Sequence, residues 1–95
     1  MTDLINQIYE IERKTKGKTE VSLENNFKRI RYELDKMGYH FESPLLEPYV
    51  DTNTTYDASL VHKDAKTITK VLKPIIYKKK GDTLELVQKG IVIVE

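Results

Sequence analysis

The residues that could carry catalysis or hold a metal are few and poorly spaced for either. The two histidines are His40 and His62, and neither has a second histidine or a carboxylate at a spacing typical of metal sites. The chain has no cysteine, which excludes thiolate nucleophiles and cysteine-ligated metals. Its serines stand in VSL, ESP and ASL, outside any nucleophile-elbow motif. We therefore expect a protein that is not an enzyme and has no catalytic residue, metal or cofactor.

Two further groups of side chains have alternative interpretations. The loop aspartates Asp51, Asp57 and Asp64 could gather as a carboxylate cluster, but loop aspartates more often cap turns through their own backbone. Tyr77 is followed by Lys78–Lys80, a run that could stack on and pair with single-stranded nucleic acid. The same run is also typical of a solvated hairpin tip, where lysines protect a strand edge. We favour the second interpretation in both cases.

Composition narrows the class of protein and its partners. The chain has 95 residues, of which 39% are hydrophobic and 33% charged, so a monomer buries only a small core and a homodimer is favoured. Sixteen basic and fifteen acidic residues leave a net charge of +1, which makes nucleic acid an unlikely partner. The longest apolar run, positions 91–94, is far shorter than the roughly 20 residues that cross a bilayer. We expect a cytoplasmic protein with no export signal and no membrane partner.

Apolar residues at helical spacing predict two helices in the first part of the chain. The first covers positions 3–14, and the second runs from an N-cap at Ser22 to about position 37, before Gly38. Short isolated helices are marginal in water, so both must bury their apolar faces. We predict that they pair with a second copy to form a dimeric four-helix bundle. The predicted dimerisation residues are Leu4, Ile8, Ile11, Leu23, Phe27, Ile30, Leu34 and Met37.

The second part of the chain is typical of β-structure. Segments 67–77 and 84–94 are rich in β-branched residues, and Gly81 with Asp82 suits the turn between them. Pro74 and Gly90 predict a bulge, a bend or an edge position within these segments. The predicted fold class is α+β, with a helical hairpin for dimerisation at 1–38 and a small all-β domain for partner docking at 39–95.

The order of these elements resembles the GrpE family, the nucleotide exchange factors of DnaK-type heat-shock chaperones. The segment LINQIYEIERK resembles that family's first bundle helix, with Ile11, Glu12 and Arg13 in place of its leucine-glutamate-arginine signature. The segment SLENNFKRIRYELDKMGY resembles the second bundle helix. Glu47-Pro48-Tyr49 is similar to the Glu-Pro-Phe that opens the family's β-domain. The chain would be a compact form without the long N-terminal coiled coil.

This resemblance implies a homodimeric co-chaperone whose β-domain binds the nucleotide-binding domain of a DnaK-type chaperone and promotes ADP release. By position, the implied partner-binding residues are Tyr77, Lys78, Lys79, Lys80, Glu85, Gln88 and Lys89. The family has Arg-Pro-Ala where this chain has Gln88, Lys89 and Gly90, and a basic residue near Glu85. These differences favour an alternative, a protein-interaction adaptor without exchange activity. A third alternative is a small binder of single-stranded nucleic acid.

Overall fold

Two helices and six strands make up the structure, a computed structural model that describes residues 1–17 and 23–95. The elements are α1 (Thr2–Thr15), α2 (Glu24–Lys36), β1 (Tyr39–Glu42), β2 (Tyr56–Leu60), β3 (Ile68–Lys73), β4 (Ile75–Lys80), β5 (Thr83–Gln88) and β6 (Gly90–Val94). One antiparallel sheet has the order β1-β4-β5. The other has the order β2-β6-β3, in which β2 is parallel to β6. The strands thus form two three-stranded sheets.

A single bent hairpin contributes two strands to each sheet. Its first arm is β3 followed by β4 and its second is β5 followed by β6, so that β3 pairs with β6 and β4 with β5. The arms bend where Pro74 interrupts the first and Lys89 the second. Gly81 lies in the turn between the arms with a φ of 61°, a value that glycine adopts readily. The predicted turn is confirmed, and the predicted irregularities fall at Pro74 in the first arm and at Lys89, one residue before Gly90, in the second.

Strand β3 buries every third residue, whereas a regular strand buries every second. Ile68, Val71 and Pro74 are buried, while the residues between them are exposed or half-buried. The register with β6 shifts between Ile68 and Lys70 and again between Val71 and Lys73. Each of these irregularities adds a residue on the outward side, which keeps the apolar residues of β3 on the core side despite their spacing of three.

Both helices pack against the strands in one core. Ile5, Tyr9 and Leu34 lie in the same hydrophobic cluster as the buried strand residues. The hydroxyl of Tyr9 donates a hydrogen bond to the Val71 carbonyl oxygen at 3.2 Å. The α2 residue Arg31 lies 4.3 Å from the centre of the Phe41 ring. The strands therefore provide the surface that covers the apolar faces of the helices.

The predicted fold class, an α+β chain with a dimeric four-helix bundle and a following β-domain, is wrong. Within residues 1–17 and 23–95 the chain is mostly β, with two sheets and no four-helix bundle. The physical reason is that helical spacing predicts an apolar face but does not identify the surface that covers it. The predicted domain division at residue 38 stays a prediction.

The helix boundaries agree closely with the sequence patterns. Helix α1 extends one residue beyond the predicted range at each end. Helix α2 begins at Glu24, and the predicted N-cap at Ser22 lies outside the described residues. Gly38 follows α2 with a φ of 87°, as expected of a glycine just past a helix end. Neither helix is long and apolar enough to cross a membrane in the described part of the chain.

The predicted dimerisation residues fall into two groups. Phe27 and Leu34 are buried, and Ile8 and Ile30 are half-buried against the core. Leu23 is also half-buried. The exposed members are Leu4, Ile11 and Met37. A role for any of these residues in dimerisation stays a prediction.

Candidate protein-docking edge

Strand β5 is an edge strand with exposed apolar side chains. It pairs with β4 on one side and with no other strand of the described chain on the other. Leu84 is 52% exposed, Leu86 36% and Val87 38%. We call these three side chains, with the unpaired backbone beside them, the β5 edge. A strand of this kind is a template for pairing with a further strand.

The pairing of β5 with β4 explains why its apolar residues face solvent. Leu86 pairs with Tyr77 and Leu84 with Lys79, so paired residues share a face of the sheet. The register shifts beyond Tyr77, which leaves Val87 without a partner residue on β4. Beyond Ile76, β4 passes from the buried core into exposed residues. The hairpin tip therefore extends past the core, and β5 extends with it.

Tyr77 is held on the sheet by two side chains of β1. Its ring stacks on the ring of His40 at a centroid distance of 6.2 Å. Its hydroxyl donates a hydrogen bond to Glu42 Oε1 at 3.5 Å, and Glu42 Oε2 lies 3.4 Å from His40 Nε2. Partial burial, together with the negative charge of Glu42 and their hydrogen bond, raises the pKa of the Tyr77 phenol above its ordinary value of 10.0. Tyr77 remains a neutral hydrogen-bond donor beside the β5 edge.

The lysines of the predicted partner-binding set interact mainly within the chain. Three have a carboxylate at 3.1–3.7 Å, and the fourth has its ammonium nitrogen 5.4 Å from a tyrosine ring centre. The pairs are Lys79 with Asp35, Lys80 with Glu85, Lys89 with Asp57, and Lys78 with Tyr39. Acidic residues neutralise most of this positive charge. The lysines are therefore better suited to holding the hairpin against its neighbouring strands and helix than to binding a polyanion such as nucleic acid.

Gln88 has a structural role at the base of the hairpin. Its Nε2 donates to Asn6 Oδ1 at 2.8 Å and to the Pro74 carbonyl at 3.0 Å. Asn6 Nδ2 in turn donates to Gln88 Oε1 at 2.9 Å. This reciprocal amide pair joins α1 to the end of β5. It fixes the position of the β5 edge relative to the core.

The structure therefore brings part of the predicted set together and separates the rest. Tyr77, Lys78–Lys80 and Glu85 lie on the two paired strands β4 and β5, whereas Gln88 and Lys89 lie at their base. Partner binding by all of them stays a prediction. Sequence reasoning missed the apolar residues of the β5 edge, because alternating leucines predict a face turned to the core. The available sequence signal that β5 lies at a sheet edge was the charged residue among these apolar ones, Glu85.

The acidic residues and histidines of the described chain form no metal site. Groups of three or more such side chains that could hold a metal ion are absent from residues 1–17 and 23–95. Asp57, which was expected in a loop with Asp51 and Asp64, lies instead in β2, with its carboxylate 3.7 Å from the Lys89 ammonium. That aspartate is engaged in an ion pair on the surface.

Comparison with known proteins gives one informative similarity. Over 70 residues, 73% of this chain, the sequence is 36% identical to a type II restriction enzyme and methyltransferase, RM.Eco57I, from Escherichia coli. This chain spans 7% of the length of that protein. No family model matches the chain. No solved structure matches it either.

This finding overturns the resemblance to the GrpE family. The similarity lies with a restriction enzyme and methyltransferase, and the helices form no bundle in the described residues. The identification of this chain as a GrpE-like co-chaperone is therefore wrong. Binding to a DnaK-type chaperone and promotion of ADP release stay predictions. The motifs behind the resemblance do not identify a family, because amphipathic helices, a glycine after a helix and a Glu-Pro-aromatic turn are short patterns that unrelated folds share.

Proposed function

We propose that this chain is a protein-interaction module that docks onto a larger protein of DNA restriction and modification through the β5 edge. The observation that carries the proposal is the exposure of Leu84, Leu86 and Val87 on a strand whose outer backbone edge is unpaired. Strand addition uses both features, because main-chain hydrogen bonds provide affinity and side-chain contacts provide specificity. The proposal assigns the chain no bond chemistry.

The size of the similar protein supports a larger polypeptide as the partner. The similarity covers most of this chain but only 7% of RM.Eco57I. A segment of that size within a large enzyme contacts the rest of the protein, and an exposed apolar strand edge is the surface suited to that contact. We place this function in the cytoplasm, the kind of reducing compartment that a chain without cysteine fits.

The hairpin also provides protection against non-specific pairing. Glu85 places a charge on β5 itself, between Leu84 and Leu86, and Lys78–Lys80 lie on the neighbouring strand β4. Charges at a strand edge oppose pairing with unrelated strands, whereas a partner with complementary charges tolerates them. The β5 edge is thus suited to a specific partner strand.

The experiment uses a derivative of RM.Eco57I from which the segment similar to this chain has been deleted. Its binding to the purified full chain is measured by biolayer interferometry. The test variant is Leu84→Lys with Leu86→Lys, and the control is Leu72→Lys, a leucine of β3 that is 42% exposed in the other sheet. The loss of two half-exposed leucines from a contact is expected to weaken binding by about tenfold or more.

Each result has a defined meaning. Binding by the wild type and the Leu72→Lys control, with at least tenfold weaker binding by the double variant, supports docking through the β5 edge. Equal binding by all three chains places the contact elsewhere and refutes the proposal. No binding by the wild type also refutes it, provided that circular dichroism shows both components to be folded.

A further inference from the structure

An open cleft of about 540 Å³ lies on the side of the molecule formed by α1, α2 and the segment after β1. Its walls include Arg13 from α1, Lys16 just after α1, Arg31 from α2, and Leu45 with Leu46 from the segment after β1. This volume falls within the range of small-molecule sites, roughly 300–1,000 Å³. None of the residues of the β5 edge lines this cleft, so its function is a separate question.

The charged wall of the cleft has an excess of cations. Arg13, Lys16 and Arg31 face it together with one carboxylate, Glu12. That carboxylate pairs with Arg31, because both of its oxygens accept hydrogen bonds from Arg31 at 2.7 and 2.9 Å. Arg13 is likewise paired, with Glu10 at 2.7 Å, so the net positive charge of the cleft comes from Lys16. That charge and the unused N–H donors of the two arginines are available to an anionic ligand.

Arg31 is held in place before any ligand arrives. Glu12 uses two of the five N–H donors of its guanidinium, and the Phe41 ring lies 4.3 Å from the guanidinium carbon. Arg13 donates to Glu10 at 2.7 Å, which leaves further donors on its guanidinium. Lys16 forms no ion pair with any described residue. The cleft thus combines a doubly hydrogen-bonded guanidinium, a second guanidinium with unused donors, and an ammonium without an ion pair to any described residue.

The segment after β1 contributes an apolar and conformationally strained part of the lining. The Glu47 N–H donates to the Pro44 carbonyl at 3.1 Å across a turn in which Leu46 has a φ of 67°. A positive φ at the third residue alone is the pattern of a type II turn, which ordinarily has glycine or asparagine there. Leu46 is nevertheless 72% exposed, so burial in the core does not explain this leucine. An apolar ligand surface resting on Leu45 and Leu46 would explain it.

We propose that this cleft binds a phosphate-bearing ligand, with the phosphate on the cationic wall and the sugar or base against the two leucines. Guanidinium groups match the oxygens of a phosphate in paired hydrogen bonds, and the Lys16 ammonium adds a net positive charge. The Ser43 hydroxyl, which also lines the cleft, donates to the Tyr9 hydroxyl at 3.1 Å, because the one proton of Tyr9 is donated to the Val71 carbonyl oxygen. The ligand can be a free nucleotide or one residue of a nucleic-acid strand.

The experiment compares adenosine, adenosine monophosphate and a short single-stranded oligonucleotide in titrations of the full chain. Binding of the small ligands is measured by calorimetry, and binding of the labelled oligonucleotide by fluorescence polarisation. The cleft variant is Arg13→Gln with Lys16→Gln. The matched control, Lys63→Gln with Lys70→Gln, removes the same charge from exposed lysines outside the cleft.

Binding of the monophosphate but not of adenosine, weakened about tenfold or more in the cleft variant alone, supports a nucleotide site. Binding of the oligonucleotide alone, with the same dependence on the variants, supports a site for a nucleic-acid strand. Equal weakening in the cleft and control variants, or no binding of either phosphate-bearing ligand by the folded wild type, overturns the proposal. The Leu84→Lys, Leu86→Lys chain is expected to bind the phosphate-bearing ligand normally, which separates this test from that of the β5 edge.

Discussion

Replacement of Gly90 by alanine tests the close approach that allows the second arm of the hairpin to bend. A Cβ atom at this position would lie 3.0 Å from Ile75 Cγ1, 3.3 Å from the Lys73 carbonyl oxygen and 3.4 Å from Tyr56 Cβ. Ile75 is buried, so its side chain has no solvent-filled space into which it can turn. The Lys73 oxygen belongs to the backbone, which can move only if the first arm of the hairpin also shifts.

The expected cost follows from these contacts. An additional methyl group in a well-packed site destabilises by about 1–3 kcal/mol. Loss of glycine's freedom in the unfolded chain offsets about 0.4–1 kcal/mol of that cost. With the middle of each range, about 2 and about 0.7 kcal/mol, the net loss in the free energy of unfolding is about 1.3 kcal/mol. For a domain of this size, such a loss lowers Tm by about 5–10 °C.

The assay is urea denaturation followed by circular dichroism, with position 81 as the comparison. Gly81 has a φ of 61°, and a Cβ atom added there would have no heavy atom within 4 Å, so alanine is opposed only by the backbone conformation. Asparagine tolerates a positive φ, so Gly81→Asn should be more stable than Gly81→Ala. At Gly90 the obstacle is the added Cβ atom, so Gly90→Asn should destabilise the protein at least as much as Gly90→Ala. A Gly90→Ala chain as stable as the wild type would refute the packing argument.

Two further predictions concern single side chains. Leu46→Asn is expected to raise the free energy of unfolding by about 0.5–1 kcal/mol, because asparagine tolerates a left-handed backbone better than leucine does; a lower Tm in thermal denaturation would contradict this. Because burial and Glu42 raise the pKa of Tyr77, its contribution to stability is fully present below pH 10.0 and is lost as the pH rises through the raised value. Glu42→Gln should lower that pKa toward the ordinary value, as measured by NMR of labelled tyrosine, and an unchanged pKa would leave burial as the whole cause.

Local sequence signals predicted the elements of this fold better than their packing. The end of α2 at Gly38, the turn at Gly81 and the interruption at Pro74 follow from the conformational limits of single residues. The surface against which Leu34 packs does not follow from the sequence, because an apolar helix face packs equally well on a sheet or on another helix. Strand β3 shows the same limit, since its apolar spacing of three departs from the period of two that identifies a strand.

The hairpin tip was predictable from the sequence, whereas the exposed apolar residues of the β5 edge were not. Tyr77 and the following lysines marked the hairpin tip correctly as a charged, exposed turn. The carboxylates that neutralise Lys79 and Lys89, which are Asp35 and Asp57, lie far away in the sequence. Such pairs depend on tertiary structure. The cationic cleft also joins residues of α1, α2 and the segment after β1, and no single segment of sequence carries a signal for it.

The order of strands in the second sheet has a consequence for synthesis on the ribosome. Strand β6 lies between β2 and β3, so neither of those strands has its partner until residues 90–94 have been made. Until then, the nascent chain presents β2 and β3 with unpaired backbone and the apolar side chains Ile68 and Val71 uncovered. Non-local pairing of this kind slows folding and exposes intermediates to aggregation. We therefore expect the sheet to form late in synthesis, and the nascent chain to depend on general holding chaperones more than its small size would indicate.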